Sequence, residues 1–529
     1  MNTEQESSMV SVGGAVEVVE PYWRLDEPNT YFRNVGTDNA EYIKLYQQAG
    51  FNPTNTPVAQ QDWHFRMSDL NSYYLMSQSF FEFSFSITDL NPQSDPLSQD
   101  LIYPSDMRCI FKNVQLDLNS VAIESNNQNA FMFYNVDRAF MSRQYIETAG
   151  SLGGMFLHDI RYDKPFFTAS YAALDFAISD ETAGTAVSYN GLVAKLQTYA
   201  KKRTLLAISS GQTKSKKCVL RVDMPSIFQF YRYWTRCHKG IDVQCRFTTV
   251  GDTPFITNRT EASRFEGTAP VAIRQNVAPT AYRMDWEGSG IVWWVRSLKP
   301  SPRVEASLNA MLQRGQEIFA PFEQAKVYNF QPQAGNQSYR IVNESSRPMR
   351  MIVAFQRKTV QNSCDDISIL QMPKGLTTFT AFVNGKKVPN LDIQLTAPEP
   401  PPHQGSLRNQ GDANIGANQE FDFTELYHRF LLLTGTYNSA FKNNYSKGSG
   451  AHSYPDWASI SPFVCFDMSA NALGDISGSN SEIVLNYNHV ADSNPGVTPI
   501  TDYTMYAVVY TERTVSFNLG EATTYVAIR

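Results

Sequence analysis

The sequence predicts a mainly β protein built by tandem duplication, and three observations carry that expectation. Period-two alternation of apolar and polar residues dominates, helical periodicity is sparse, and two strand motifs and a helix recur in the same order. "FFEFSFSITD" (Phe80–Asp89) sets Phe81, Phe83, Phe85 and Ile87 on one face and Glu82, Ser84 and Ser86 on the other. That is the pattern of a half-buried antiparallel strand. Similar strands are expected at Cys218–Met224, Ile241–Phe247, Gly290–Ser297, Arg347–Gln356, Ser481–Val490 and Tyr503–Glu512, separated by turns rich in Asn, Gly, Ser, Asp and Pro. Helices are expected only at Ala130–Tyr145, Val304–Gln316 and Asp422–Gly435.

The duplication is read from spacing. "SYYLMSQSFFEFSFSI" begins at Ser72 and "SYRIVNESSRPMRMIV" at Ser338, 266 positions later, so Tyr73 meets Tyr339 and Phe83, Phe85 and Ile87 meet Met349, Met351 and Val353. At a spacing of 265, "LDLNSVAI" lies over "AFVNGKKV" and pairs Asn119 with Asn384 and Ser120 with Gly385. A two-residue hairpin turn needs positive φ, which Asn and Gly accept at little cost. Asn384–Gly385 is therefore a credible type I′ turn, Asn119–Ser120 a weaker one, and with Pro389 these residues serve as structural turn markers. The stretches after the turns, Glu124–Asn129 and Leu391–Gln419, are expected to be loops. Pro398, Pro400, Pro401 and Pro402 resist both helix and central strand, and mark an exposed loop.

Bulk properties bound the function. At roughly 100–250 residues per domain, 529 residues suit two or three domains, and 42% apolar with 13% aromatic residues supplies large cores. The partition read from the pattern is an N-terminal arm and docking segment (1–50), then repeats over 51–300 and 301–529. Only 18% of residues are charged, which suits a protein that buries much surface against neighbours. The net charge of −6 argues against sequence-specific nucleic-acid binding. The basic clusters Lys201–Arg203 and Lys214, Lys216 and Lys217 read as solvated loops, or as a weak contact with a genome or membrane. No apolar run approaches the ~20 residues that cross a bilayer, and nothing in the first residues resembles a secretory signal. Six scattered cysteines do not make a disulfide framework.

The seven histidines show no HxH, HExxH or H-x3–5-H spacing, and GxSxG, GxxxxGK[ST] and GxGxxG are absent. Cys237 and His238 are adjacent, but neighbours on a strand point to opposite faces. No catalytic, cofactor-binding or metal-binding residue is expected, and no cofactor.

"IFKNVQLDLNSVAIESNNQNAFMFYNVDRAF" (Ile110–Phe140) resembles a segment of the double jelly-roll major capsid proteins, where a strand ends in an Asn turn followed by an Asn-rich stretch and an aromatic helix. "KSKKCVLRVDMPSIFQF" with "GIDVQCRF", the passage Ser297–Gln331, and "TFTAFVNGKKVPN" resemble later parts of the same pattern. The group is that of virophages, polinton-like viruses and adintoviruses, in the lineage of adenovirus hexon. The resemblance implies two tandem eight-stranded antiparallel jelly rolls (β-sandwiches), with a few short helices in connecting loops. It further implies a homotrimer forming a pseudo-hexagonal capsomer, capsomer–capsomer contacts in an icosahedral shell, and a separate penton (vertex) protein with minor or cement proteins. The location implied is the virion, after synthesis in the host cytoplasm. Competing readings are a two-domain β-sandwich binding protein (lectin, spike or penton-like) and a jelly-roll carbohydrate-active enzyme.

Overall fold

The computed structural model describes residues 37–48, 60–69, 72–89, 100–104, 106–126, 129–155, 206–208, 215–249, 256–260, 282–300, 306, 317–343, 348–358, 370, 372–373, 375–395, 423–434, 457, 461–468, 481–490, 499–519 and 524–528. The strands of the first half are β1 Thr37–Leu45, β2 Asp62–Met67, β3 Tyr73–Asp89, β4 Asp100–Pro104, β5 Phe111–Leu118, β6 Val121–Asn126, β7 Leu206–Ile208, β8 Ser215–Asp223, β9 Arg236–Cys237, β10 Val243–Thr249, β11 Ile256–Thr260 and β12 Tyr282–Pro300. The second half has β13 Glu317–Phe330, β14 Gly335–Asn343, β15 Pro348–Arg357, β16 Leu376–Val383, β17 Lys386–Gln394, β18 Phe463–Asp467, β19 Ser481–His489, β20 Tyr503–Leu519 and β21 Thr524–Ile528.

Each half forms two packed four-stranded antiparallel layers. The first pairs β1-β12-β3-β8 with β2-β10-β5-β6, the second β13-β20-β15-β18 with β14-β19-β16-β17. With the short β4, β7, β9 and β11 set aside, the remaining first-half strands match β13 to β20 one for one in chain order. In both halves the first, eighth, third and sixth strands make one layer and the second, seventh, fourth and fifth the other. This is the jelly-roll order, present twice. Inward residues alternate as the sequence requires: Phe81, Phe83 and Phe85 are at most 1% exposed, and β19 alternates buried and half-buried along its length. Short β4, β7 and β11 make a further small sheet, β11-β4-β7, from three connections that leave the same end of the first roll.

Several expectations are corrected. Thr37–Leu45, inside the segment read as an arm and docking region, is an edge strand of the first roll, because its backbone pairs with β12 from Thr37↔Pro300 to Leu45↔Trp293. The match of Tyr73 with Tyr339 joins unlike strands: Tyr73 begins β3, whereas Tyr339 lies in β14 of the opposite layer. The match of Phe83 and Phe85 with Met349 and Met351 does join equivalent strands, β3 and β15. A bulge between Leu75 and Phe80, where Ser79 Oγ donates to Leu75 O and accepts from Arg296 N–H, explains the extra length of β3. The first expected loop is partly strand, since Glu124–Asn126 ends β6, and Leu391–Gln394 likewise ends β17. Ala130–Tyr145 divides: helix α1 is Ala130–Phe140, and after an extended Met141 the Ser142 hydroxyl caps a separate turn by accepting from Tyr145 N–H. Two single-turn helices follow β8, α2 Met224–Ile227 and α3 Phe230–Tyr233, and α4 Thr424–Leu433 fills the expected Asp422–Gly435. Apart from Ala306, the helix expected at Val304–Gln316 lies outside the described residues before β13, as do Pro398 to Pro402, Lys201–Arg203 and Lys214.

Candidate functional site

Two features stand out when the rolls are compared: a clamp present in both, and a junction present once.

The clamp is built on the turns. Asn119 (φ 48°) with Ser120 (φ 66°) joins β5 to β6, and Asn384 (φ 48°) with Gly385 (φ 78°) joins β16 to β17. Positive φ at both central residues is the type I′ geometry, whose twist matches that of the strands. Asn119 N–H donates to Asp242 O (2.9 Å), and Asp242 N–H donates back to Asn119 Oδ1 (2.6 Å). Asn384 and Glu482 repeat both bonds, each at 2.8 Å. In each roll the acid then pairs with an arginine on the adjoining edge strand. Arg66 of β2 reaches Asp242 at 3.0 Å, and Arg340 of β14 pairs with Glu482. The registers agree: Arg66 sits opposite Gln244, two beyond Asp242, and Arg340 opposite Val484, two beyond Glu482. Linear spacing hides the arginine and the acid, because Arg66 and Arg340 stand 274 apart and Asp242 and Glu482 only 240 apart. Pro389 follows a cis peptide within β17.

One turn differs in a testable way. A left-handed conformation costs a non-glycine residue roughly 1–2 kcal/mol, and the second roll has Gly385 where the first has Ser120. Ser120→Gly should stabilise the protein by roughly 0.5–1 kcal/mol in urea unfolding, less than the full cost because Gly also loosens the unfolded chain. Asn119→Ala removes the Oδ1 acceptor and the Nδ2–H bond to Gly240 O (3.2 Å), and should cost about 1–2 kcal/mol in the same assay. A neutral result at both positions would deny the clamp any role in stability.

The junction joins the rolls face to flank. The outward face of β13-β20-β15-β18 packs against α1, α3 and Trp234. Every residue of α1 is buried. Phe131 meets Tyr506, Phe133 meets Tyr510, and Phe140 stacks on Phe463 at 5.9 Å between ring centres. Phe230 of α3 packs edge-on against Phe322 at 5.3 Å, and Trp234 stacks on Phe517. Gln229 Oε1 accepts from the N–H of Ala325 (2.7 Å), so an edge-strand donor of the second roll is satisfied by the first. Arg350 lies 4.1 Å from the ring centre of Tyr510 and 2.9 Å from Glu323, whose carboxylate also accepts from Tyr233 OH.

Charge is buried beside this junction. Asp137 of α1 accepts from both Nη atoms of Arg232 (2.6 and 2.7 Å) and from Arg108 Nη1 (2.8 Å). Arg108, fully buried, is also forked onto Asp106 (2.6 Å) and donates to Ser226 O. Two cations and two anions therefore cancel. Burial alone would raise the Asp137 pKa, but Arg232 and Arg108 outweigh it and hold the carboxyl below its usual range. Glu124 shows the reverse balance: burial pushes it up to about 7, against the backbone N–H groups of Phe230 and Gln229 that donate to it. Asp137, Phe140, Arg232, Tyr233, Glu323 and Arg350 border a cavity of about 20 Å³, room for a single water and no substrate.

The Cys237–His238 pair has no nucleophilic setting. Burial raises the Cys237 thiol and lowers His238 to about 3, so both are neutral near pH 7. Cys109, Cys237, Cys245 and Cys465 are free and buried. Among the described residues no group of three or more His, Cys, Asp or Glu is placed to hold a metal, and no helix is long and apolar enough to cross a membrane.

No protein-family model and no curated protein matches the chain. Among solved structures, the chain is similar to the Sputnik virophage structure determined by cryo-electron microscopy. The TM-score is 0.51 at 11% identity, covering 99% of this chain and 95% of that one. It is also similar to the mavirus major capsid protein (TM-score 0.44, 10% identity, 100% and 93% covered) and the Faustovirus major capsid protein (0.46, 8%, 90% and 90%). At 11% identity the likeness to Sputnik is one of fold, and it spans the length of both halves.

Proposed function

We propose that the chain is a structural major capsid protein that trimerises into a pseudo-hexagonal capsomer and tiles an icosahedral virus shell. One observation carries the reading: two jelly rolls of identical strand order are held in a fixed mutual orientation by a buried, charge-compensated junction. The space between the rolls, one place where a two-domain protein could hold a ligand, is packed with aromatic rings. The full-length likeness to the Sputnik virophage structure supports the same conclusion. Three such pairs about a three-fold axis present six rolls, a nearly hexagonal tile, and head-to-tail contacts whose rotation closes generate such a ring.

In this reading the domains are the arm with its docking strand and the two rolls, 51–300 and 301–529, with β1 joined to the first. The role is structural rather than catalytic. The partners are other copies of the chain, a vertex protein and minor or cement proteins, and the location is the virion after synthesis in the host cytoplasm.

Native mass spectrometry of the purified full chain, with negative-stain images of the same sample, tests the proposal. A dominant three-chain species with a hexagonal outline is expected. A monomer at every salt and chain concentration, above all one that binds glycans, would overturn it in favour of a lectin or a carbohydrate-active enzyme.

A further inference from the structure

The junction is one half of a contact whose other half is missing from a single chain. The outward face of the second roll's first layer is buried beneath the first roll, whereas among the described residues no element packs over the centre of the equivalent face of the first roll, on β1-β12-β3-β8, where Phe80 and Trp294 are half-buried. That face is not the polar surface expected of a solvated sheet. Lys44, Trp294 and Phe80 are register neighbours across β1, β12 and β3, with Trp294 and Phe80 stacked at 5.8 Å. Tyr42, 46% exposed, packs against both rings, and Val219 on β8 is 58% exposed. Lys44 lies 4.2 Å above Trp294 and Arg221 lies 5.1 Å from Phe80, so cations already decorate the rings.

The helices show the complementary gap. α1 and α4 both lie in the connection between the fifth and sixth strands of their rolls. α1 is buried all round because the second roll lies against it. α4 packs one side on Trp457 and Phe463 through Phe430, but on the other Leu432 is 54% exposed beside half-buried Leu431 and Leu433. Glu425, at the start of the same helix, is paired with Arg429 one turn on at 2.7 Å, so the exposed part of this flank is the leucine edge.

We propose that the outward face around Tyr42, Phe80 and Trp294 receives the α4 flank of another copy of this chain, repeating between chains the contact that α1 makes within one. The inference rests on the capsomer reading and names the surface that closes the ring. Each copy gives α4 to one neighbour and receives α4 from the other, so the interface is head-to-tail. Buried tryptophan, tyrosine and arginine are the side chains that most often dominate such contacts.

Two single variants of the full chain, Trp294→Glu and Leu432→Glu, separate the two sides, with Leu391→Glu as a control on the 79% exposed Leu391 of β17. Native mass spectrometry of the parent and control should give trimers, and each of the two variants alone should give monomers with the parent's far-UV circular dichroism. Mixed, they should form a one-to-one dimer and no trimer, because one intact face and one intact helix remain between them. Trimers from either variant, or no dimer from the mixture, would overturn the surface while leaving the capsomer reading intact. A parent chain that stays monomeric would overturn both.

Discussion

Asp137→Asn is expected to destabilise the folded chain by about 3–5 kcal/mol, the cost of leaving a buried charge uncompensated. The carboxylate is 3% exposed and holds Arg232 and Arg108 together through three bonds of 2.6–2.8 Å. An asparagine keeps the shape but turns an NH2 group toward guanidinium donors, and leaves the buried cluster with an uncompensated positive charge beside a cavity that holds at most one water. Removing one partner of a buried pair is costly for that reason, whereas removing both and replacing them with apolar groups is often neutral. Asp137→Leu combined with Arg232→Met should therefore recover at least half of the loss, since Arg108 keeps Asp106. Urea unfolding at fixed chain concentration is the measurement, because assembly would otherwise shift the apparent stability. A single variant within 1 kcal/mol of the parent would show that water reaches the cluster.

The same residue sets a pH dependence of known sign. Because the folded pKa of Asp137 is lowered, its contribution is present above the usual carboxylate range and is lost as pH falls through the depressed folded value. Glu124 acts oppositely. With a folded value of about 7, it favours the folded state most at low pH, and that contribution fades as pH rises from its ordinary range through 7. The parent should lose stability below about pH 4 through groups of the first kind. Asp137→Asn should flatten that acid limb without altering the change between pH 5 and 7.

How much of this was legible in the sequence depends on which partners a residue answers to. β3, β19 and β20 announce themselves because alternation is a local record of a sheet with one side in a core. The turns at Asn119 and Asn384 were legible because positive φ selects few residue types. β1 was not. "TDNAEYIKL" is an edge strand with an open outer face, and what fixes it is a backbone ladder to β12, some 250 residues away. The halves of the clamp were hidden too, since insertions between equivalent strands change the spacing from 240 to 274 while the three-dimensional register stays the same. The charges on α1 carry no local mark of burial. Asp137 and Arg138 are buried because partners from distant segments and a second roll arrive there. Local pattern reports one roll well; the contact between two rolls leaves little trace in either.

That contact is where the second large effect lies. Phe133→Ala should cost about 3–5 kcal/mol, the range for deleting a buried phenylalanine that its surroundings cannot refill. Phe133 has no exposed surface, and its ring lies 6.4 Å from Tyr510, itself held under the Arg350 guanidinium at 4.1 Å. Arg350 is in turn tied to Glu323, so the side chains that could collapse into the void are fixed by charge. The stronger test is of cooperativity. Trp23, Trp63, Trp234, Trp286, Trp293 and Trp294 precede residue 301, and only Trp457 lies in the second half. Intrinsic fluorescence therefore reports mainly on the first roll, and far-UV circular dichroism on both. In the parent a tight junction should make the two transitions coincide. In Phe133→Ala they should separate, because each roll keeps its own core while their coupling weakens. Phe247→Ala supplies the contrast. Its ring lies 4.6 Å from Phe111 and 5.0 Å from Phe81, wholly within the first roll. The loss should be of similar size, but without weakening the junction itself. If both variants leave the two probes coincident, the rolls are coupled by something other than the packing of α1 on the second roll.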